Sequence, residues 1–226
     1  MKGYPHPQPL SQREREGSFF KADTLTLRYS YTLFAPVYDA LVAPFTNAMR
    51  RCSLAALHKE SPADVLLVGI GSGLDLPLLP RGPRYTGLDL TPAMLARARR
   101  KAAAAKLEIR LDVGDARRLP YGDAQFDAVV LHLILAVTPH PERVLAEAVR
   151  VLRGGGRILV LDKFLRPGQA APLRRLVSPL LGLLATRTDM VFEQVLAQVL
   201  GLEVVSDRPA LAGGWFRRIV LRKGGV

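Results

Sequence analysis

The feature that most constrains the fold is a short apolar run, Asp64–Val68, that ends in three alternating glycines, Gly69, Gly71 and Gly73. An apolar run of this length predicts a buried strand of a parallel sheet. Glycines at its end permit a sharp turn and let a ligand approach main-chain N–H groups where no Cβ intervenes. The spacing is G-x-G-x-G and not the dinucleotide pattern G-x-G-x-x-G, because position 74 is Leu. The run favours a ligand-binding turn, with an ordinary strand-to-helix turn as the alternative.

Acidic residues follow at the ends of the next two predicted strands. Asp89 comes after the apolar run 85–88, about twenty residues beyond Gly69, and Asp115 comes after the predicted strand 108–113. The carboxyl ends of parallel strands share one edge of a sheet, so these residues predict a nucleoside site at a topological switch point. A carboxylate at the position of Asp89 can accept hydrogen bonds from both hydroxyls of a ribose. The strand-helix alternation from residue 64 onward predicts an α/β fold with helices on both faces.

The order of glycine loop, acid and acid resembles the class I S-adenosylmethionine (AdoMet)-dependent methyltransferases, from Tyr29 to Arg222. The resemblance implies a Rossmann-like, seven-stranded, mostly parallel sheet whose terminal strands, 202–205 and 215–222, form a reversed hairpin. It also implies AdoMet as the cofactor, with the methionine part over the glycines, the ribose on one acid and the adenine near the other. The cofactor-binding residues implied in this way are Gly69, Gly71, Gly73, Asp89, Met94, Asp115, Ala116 and His132.

One position departs from the family pattern. Methyltransferases of this class usually carry Glu or Asp two residues before the first glycine, where it helps to hold the methionyl ammonium, but here that residue is Leu67. Asp75 is an acid that could compensate. The departure leaves a non-catalytic AdoMet-binding module as an alternative to an enzyme.

Two further segments narrow the resemblance to particular groups of these methyltransferases. Residues 34–39, Phe-Ala-Pro-Val-Tyr-Asp, resemble the A-x-x-Y-D segment of quinone-synthesis methyltransferases and of bacterial phosphatidylethanolamine N-methyltransferases. Residues 141–157 match the helix and glycine turn of the same groups. This segment follows the fourth predicted strand, 126–135, and leads into the fifth, 157–161. Candidate catalytic residues on the acceptor side are His132, Tyr38 and Tyr29, the alternatives being a packed strand-end histidine and aromatics that pack between helices. No metal site is predicted.

The chain is predicted to have one folded domain. Residues 1–22 are expected to be a disordered tail and residues 23–226 a single methyltransferase domain. Within it, residues 23–60 are predicted to form an N-terminal helical cap, and residues 165–200 an acceptor-side insertion. Cys52 is the single cysteine, which rules out an internal disulfide and favours a reducing, cytoplasmic compartment.

The net charge of +12 predicts attraction to an anionic surface. Five cations and no acid occur from residue 163 to residue 187, interleaved with leucines, which favours peripheral association with an anionic membrane at its inner face. Nucleic acid is disfavoured, because the Asn/Asp-Pro-Pro-aromatic motif of many nucleobase methyltransferases does not follow the fourth predicted strand.

These patterns together predict an AdoMet-dependent methyltransferase that acts on a small or lipid-derived acceptor, with N-methylation of phosphatidylethanolamine favoured. The alternatives are C-methylation of a quinone precursor, methylation of RNA, and a non-catalytic AdoMet-binding module. The oligomeric state is left open.

Overall fold

The computed structural model describes residues 46–166, 168, 190–211 and 214–225. The predicted tail, the first part of the predicted cap and residues 169–189 of the predicted insertion lie outside these ranges, so the division of the chain stays a prediction. The elements in chain order are α1 (46–60), β1 (Asp64–Val68), β2 (Arg84–Asp89), α2 (Pro92–Ala104), β3 (Ile109–Val113), β4 (Phe126–His132), α3 (Pro141–Val151), β5 (Leu152–Lys163), α4 (Phe192–Leu196), β6 (Leu202–Leu211) and β7 (Phe216–Lys223).

The strands form one seven-stranded sheet in the order β3-β2-β1-β4-β5-β7-β6. Strands β1 to β5 pair in parallel, whereas β7 runs antiparallel to both β5 and β6. The predicted fold is therefore confirmed. The chain builds outward from β1 to β3 and then crosses to β4 on the other side of β1. The crevice at the carboxyl ends of β1 and β4 is the topological switch point, where ligands of such sheets bind.

Two apolar clusters cover the two faces of the sheet, because side chains alternate along each strand. Leu66 and Val68 of β1 belong to one cluster, together with residues of α3 and α4. Val65 and Leu67 belong to the other, with residues of α1 and α2. Leu67 is only 1% exposed. The residue that replaces the family's usual acid is thus a packed core side chain.

The start of β5 differs from the sequence prediction. The glycines at 154–156 were expected to form a turn before a strand at 157–161, but β5 begins at Leu152, directly after α3. The register against β4 shifts between Phe126 and Ala128, which pair with Leu152 and Arg157 respectively. A Cβ on Gly156 would lie 2.7 Å from the carbonyl oxygen of Asp127. The glycines therefore form an irregularity inside the strand pair, and at Gly156 there is no room for a side chain.

Two other boundaries also move. The fourth strand, predicted to reach Leu135, ends at His132, because Leu133 adopts a left-handed backbone with φ +57° and a 3-10 turn follows. The first terminal strand is longer than predicted, the last one keeps its predicted length but starts one residue later, and Pro209, a residue typical of connections, lies within β6. Proline is tolerated there because β6 is an edge strand, whose outer side needs no N–H for pairing.

A buried arginine ties the terminal hairpin to the segments around it. Arg217 of β7 is 1% exposed, and its guanidinium contacts Asp207 of β6 and Glu193 of α4, the latter at 2.6 Å. It also donates a hydrogen bond to the main-chain oxygen of Leu165 at 3.2 Å. These carboxylates outweigh the effect of burial and raise the pKa of Arg217. One side chain thereby holds β6, α4 and the end of β5 together.

We expect Arg217→Met to lower the free energy of unfolding by about 2–3 kcal/mol, because it leaves two carboxylates without their cation. This lies below the usual cost of breaking a buried pair, since Glu193 and Asp207 are partly exposed. Arg222→Met, on the same strand but exposed, is the control and should change stability by less than about 0.5 kcal/mol. Equal urea midpoints for both variants would contradict the role given to Arg217.

Candidate functional site

The glycine-rich loop follows β1 with three left-handed residues, Gly69, Gly71 and Gly73, at φ +66°, +57° and +82°. A Cβ on Gly69 would collide with the side chain of Ile134, and one on Gly73 would lie 3.0 Å from the Cα of Ala98. A Cβ on Gly71 would meet no atom within 4 Å. The outer glycines therefore seat the loop against the protein, while the middle one borders open space that a ligand can enter.

Asp89, at the end of β2, is bonded directly to this loop. Its Oδ2 accepts the main-chain N–H of Gly71 and its Oδ1 that of Thr91, each at 2.9 Å. Burial raises the pKa of Asp89, and these two N–H groups offset part of that effect. A carboxylate accepts about four hydrogen bonds, so Asp89 keeps capacity for the hydroxyls of a ribose.

Asp115 lies beside Asp89, because the main-chain N–H of Gly114 donates to the main-chain oxygen of Asp89 at 3.0 Å. Its carboxylate accepts from the guanidinium of Arg117, with Nε 3.0 Å from Oδ1 and 3.1 Å from Oδ2 and with Nη2 2.7 Å from Oδ2. The main-chain N–H of Arg117 also donates to Oδ1, at 2.9 Å. Burial would raise the pKa of Asp115, but the bonds from Arg117 outweigh it and hold the pKa below its usual value. The carboxylate is therefore an ionised acceptor, as a bond from an adenine amino group requires.

The two predicted adenine-side apolar residues lie on neighbouring elements. Met94 is buried in the first turn of α2, which starts after the tip of β2. Ala116 is half-buried and packs against the larger of the two apolar clusters. Their contact with a base stays a prediction.

His132 ends β4 and is held at both ring nitrogens. Its Nδ1 lies 3.0 Å from Oδ1 of Asp75, and its Nε2 lies 3.0 Å from Oγ of Ser53. A third partner, Arg50, places Nη1 2.9 Å from the same Oδ1 of Asp75. Burial would raise the pKa of Asp75, yet His132 and Arg50 outweigh it and hold that pKa well below its usual range. Because an ionised carboxylate only accepts, His132 must carry its proton on Nδ1 toward Asp75.

Sequence reasoning missed Arg50 and Ser53. Both lie on the buried stripe of α1, whose members recur at helical spacing and are Thr46, Met49, Arg50, Ser53, Leu54 and Leu57. The available signal was a pair of polar residues three positions apart on a mostly apolar stripe. Such a pair needs a buried polar partner, and the structure provides it in Asp75 and His132.

The remaining predicted residues, Tyr29 and Tyr38, lie outside the described ranges, so their catalytic role stays a prediction. Across the described part of the chain, no group of three or more His, Cys, Asp or Glu side chains is arranged to hold a metal ion.

The fold and this edge of the sheet define a class, the α/β proteins that bind a nucleoside-bearing cofactor at the switch point. The open space at Gly71 and the acceptor carboxylates of Asp89 and Asp115 fit AdoMet. Comparison with known families gives a match of residues 66–160 to the family described as "Methyltransferase domain".

Similarity to individual proteins extends further. A phosphatidylethanolamine N-methyltransferase of Cereibacter sphaeroides is 36% identical over 190 residues, which cover 83% of this chain and 92% of that protein. A demethylmenaquinone methyltransferase of Deinococcus radiodurans is 39% identical over 139 residues, 58% of each chain. The chain therefore belongs to the AdoMet-dependent methyltransferases. It is an enzyme of that family, and AdoMet is its cofactor.

Solved structures agree on the fold. The structure of an S-adenosylmethionine-dependent methyltransferase of Thermotoga maritima superposes with a TM-score of 0.66 at 21% identity. The match covers 87% of this chain and 99% of that one. At this identity the likeness concerns architecture alone.

We expect Asp89→Ala to weaken AdoMet binding by about 1.5–3 kcal/mol, the scale of hydrogen bonds to a charged group. The loss arises because the ribose hydroxyls and the N–H of Gly71 lose their shared acceptor. Calorimetric titration with AdoMet measures it, and Asp123→Ala, at a largely exposed carboxylate, is the control. Unchanged affinity in the Asp89 variant would place the ribose elsewhere.

We expect Gly71→Val to abolish AdoMet binding while the chain stays folded, because the new side chain would project into the space left for the ligand. A left-handed valine costs about 1–2 kcal/mol of stability whatever its surroundings. Gly155→Val is the matched control, since Gly155 has φ +77° and also meets no atom within 4 Å, but lies in β5. Both variants should lose similar stability, and only the Gly71 variant should lose binding. Retained binding there would remove the loop from the site.

Proposed function

We propose that this enzyme transfers the methyl group of AdoMet to the amino group of a phospholipid headgroup, with phosphatidylethanolamine as the favoured acceptor. The observation that carries the proposal is the extent of the similarity to the phosphatidylethanolamine N-methyltransferase. It covers 83% of this chain, whereas the similarity to the demethylmenaquinone methyltransferase covers 58%. The longer match extends well beyond residues 66–160, which match the family model.

The chemistry around His132 supports the same choice. An amine reacts through a lone pair and needs no base in the transfer step, whereas a ring carbon or a phenol needs a proton removed. Both ring nitrogens of His132 are hydrogen-bonded to protein groups. A ring-carbon acceptor would require this histidine to leave Ser53, while an amine acceptor requires no change. The predicted direct contact of His132 with an acceptor stays a prediction.

In this proposal, different residues at the carboxyl ends of the strands bind different parts of AdoMet. When bound, AdoMet supplies a methyl group already activated on a sulfonium, so the protein must align donor and acceptor and exclude water. Holding reactants in line contributes roughly 7–11 kcal/mol in well-oriented systems. In this proposal Gly71 borders the methionine part, Asp89 accepts from the ribose and Asp115 accepts from the adenine amino group. Met94 and Ala116 flank the base.

The second candidate is C-methylation of a quinone precursor, which the 39% identity to the demethylmenaquinone methyltransferase favours. RNA remains a third acceptor class, supported by the net charge of +12 alone. Peripheral membrane binding is part of the proposal, but of the five cations on which it rests only Lys163 and Arg166 lie within the described ranges. No helix in the described part of the chain is long and apolar enough to cross a bilayer.

The test is methyl transfer from labelled AdoMet by the purified protein to three acceptors offered separately. These are vesicles containing phosphatidylethanolamine, demethylmenaquinone in detergent, and bulk RNA. We expect label in the lipid, a rate that rises with pH as the headgroup amine loses its proton, and no transfer by Gly71→Val. Vesicles with added anionic lipid should react faster at low salt than at high salt, because each nearby cation contributes ~1 kcal/mol.

Label in the quinone or in RNA, with none in the lipid, would replace the favoured acceptor with that one. An equal rate on anionic and zwitterionic vesicles would remove the membrane part of the proposal and leave the acceptor unchanged.

A further inference from the structure

The methionyl end of AdoMet carries an α-ammonium and an α-carboxylate, and both need charged partners where they enter a protein. At the position where the family usually has an acid, this chain has Leu67, a packed core residue. Any carboxylate that binds the ammonium therefore belongs to another residue.

A buried ion pair lies at the far end of the glycine-rich loop. Asp75 follows Gly73 by two residues and precedes the 3-10 turn Leu76–Leu78. The main-chain N–H of Leu76 donates to the oxygen of Gly73 at 3.2 Å, which keeps Asp75 next to the loop. Arg50 reaches it from α1, with Nη1 2.9 Å from Oδ1. A cation and an anion thus lie side by side at the loop, 6% and 4% exposed.

Both ions keep hydrogen-bonding capacity. A guanidinium has five N–H groups, and the contacts of Arg50 use Nε, 3.3 Å from Oγ1 of Thr46, and Nη1. The contacts that Asp75 receives from Arg50 and His132 both go to Oδ1, whereas a carboxylate accepts about four hydrogen bonds. The planar guanidinium suits a carboxylate, and the carboxylate suits an ammonium.

His132 and Ser53 add further hydrogen bonds to this ion pair. His132 donates Nδ1–H to Asp75, and the hydroxyl of Ser53 lies against Nε2. Both contacts are to protein groups, so in the proposal below His132 and Ser53 are positioning residues that fix the direction of the Asp75 carboxylate.

We propose that Arg50 binds the α-carboxylate of AdoMet and that Asp75 binds its α-ammonium, in place of the acid that position 67 does not provide. This inference rests on AdoMet binding and not on the acceptor proposed above. An experiment that overturns the acceptor therefore leaves this inference unchanged, and the reverse also holds.

The test compares two ligands by calorimetry, without an acceptor. S-adenosylhomocysteine carries both charged groups, whereas 5′-methylthioadenosine keeps the nucleoside and the sulfur but has neither. In Arg50→Met and in Asp75→Asn, the dissociation constant of S-adenosylhomocysteine should rise about 10–100-fold, and that of methylthioadenosine less than about 2-fold. Arg51→Met, an exposed neighbour on the same helix, should change neither constant. Equal losses for both ligands would mean that the pair only shapes the loop, and would overturn the proposal, as would no loss for either.

A second experiment uses ligand analogues to test which charged group of the ligand Arg50 binds and which Asp75 binds. It includes the wild type and so does not depend on the variants alone. The wild type should bind analogues of S-adenosylhomocysteine that have lost only the carboxylate or only the ammonium about 10–100-fold more weakly. Arg50→Met should weaken the carboxylate-free analogue no further, and Asp75→Asn should weaken the ammonium-free analogue no further.

Wild-type affinity for both analogues that equals the affinity for the parent would overturn the proposal even if both variants failed to fold. A carboxylate preference that persists in Arg50→Met would overturn the assignment of Arg50 and point to Lys101, another cation at this loop, which bonds Ser72 at 3.0 Å.

Discussion

The buried carboxylate of Asp75 is the constraint on which the site depends. Removing a charge from water is unfavourable unless partners replace the water, and here Arg50 of α1 and His132 of β4 do so. Three separate segments, α1, the glycine-rich loop and the end of β4, therefore meet at one oxygen atom. Separation of α1 would leave Asp75 without its cation, and separation of β4 would remove its hydrogen bond from His132. We therefore expect the docking of α1 and the formation of the cofactor loop to be cooperative.

The two sides of the crevice are built by different means. On the donor side, main-chain groups of a glycine loop are held by the side chain of Asp89. On the other side, the turn after β4 is held by Asp162, whose Oδ2 accepts the N–H of Ala136 at 3.0 Å. Asp162 is fully buried, and burial raises its pKa, only partly offset by Lys163 and main-chain N–H groups. In each case a carboxylate at one strand end fixes the backbone that follows a neighbouring strand.

Much of this could be predicted from the sequence, because the signals were local. The glycine spacing and the strand-end acids Asp89 and Asp115 gave the fold and the cofactor edge, since carboxyl ends of parallel strands always meet. Strand boundaries were less predictable. Gly156 and Pro209 are usually turn residues, and only the register against β4 and the edge position of β6 admit them into strands.

The cluster of polar side chains around Asp75 could not be predicted from the sequence, for a different reason. Ser53 and His132 are 79 residues apart, and Asp75 and His132 are 57 apart, so no local pattern links them. An arginine on a helix is ordinarily read as solvent-facing. Only the packing of α1 against the sheet edge turns Arg50 inward, and that packing is a tertiary property.

The edge strand β6 affects how two copies of the molecule can associate. An open strand offers a row of free N–H and C=O groups, a template on which a second chain can extend the sheet. Here two register shifts, near residues 205 and 210, break the even spacing of that row, and Pro209 removes one donor from it. Val204 and Val205 on the same strand are nearly half exposed, so apolar side chains lie beside an irregular backbone. These features disfavour the pairing of two copies through β6 into a continuous sheet. The exposed apolar side chains of this strand would otherwise favour such pairing at high protein concentration.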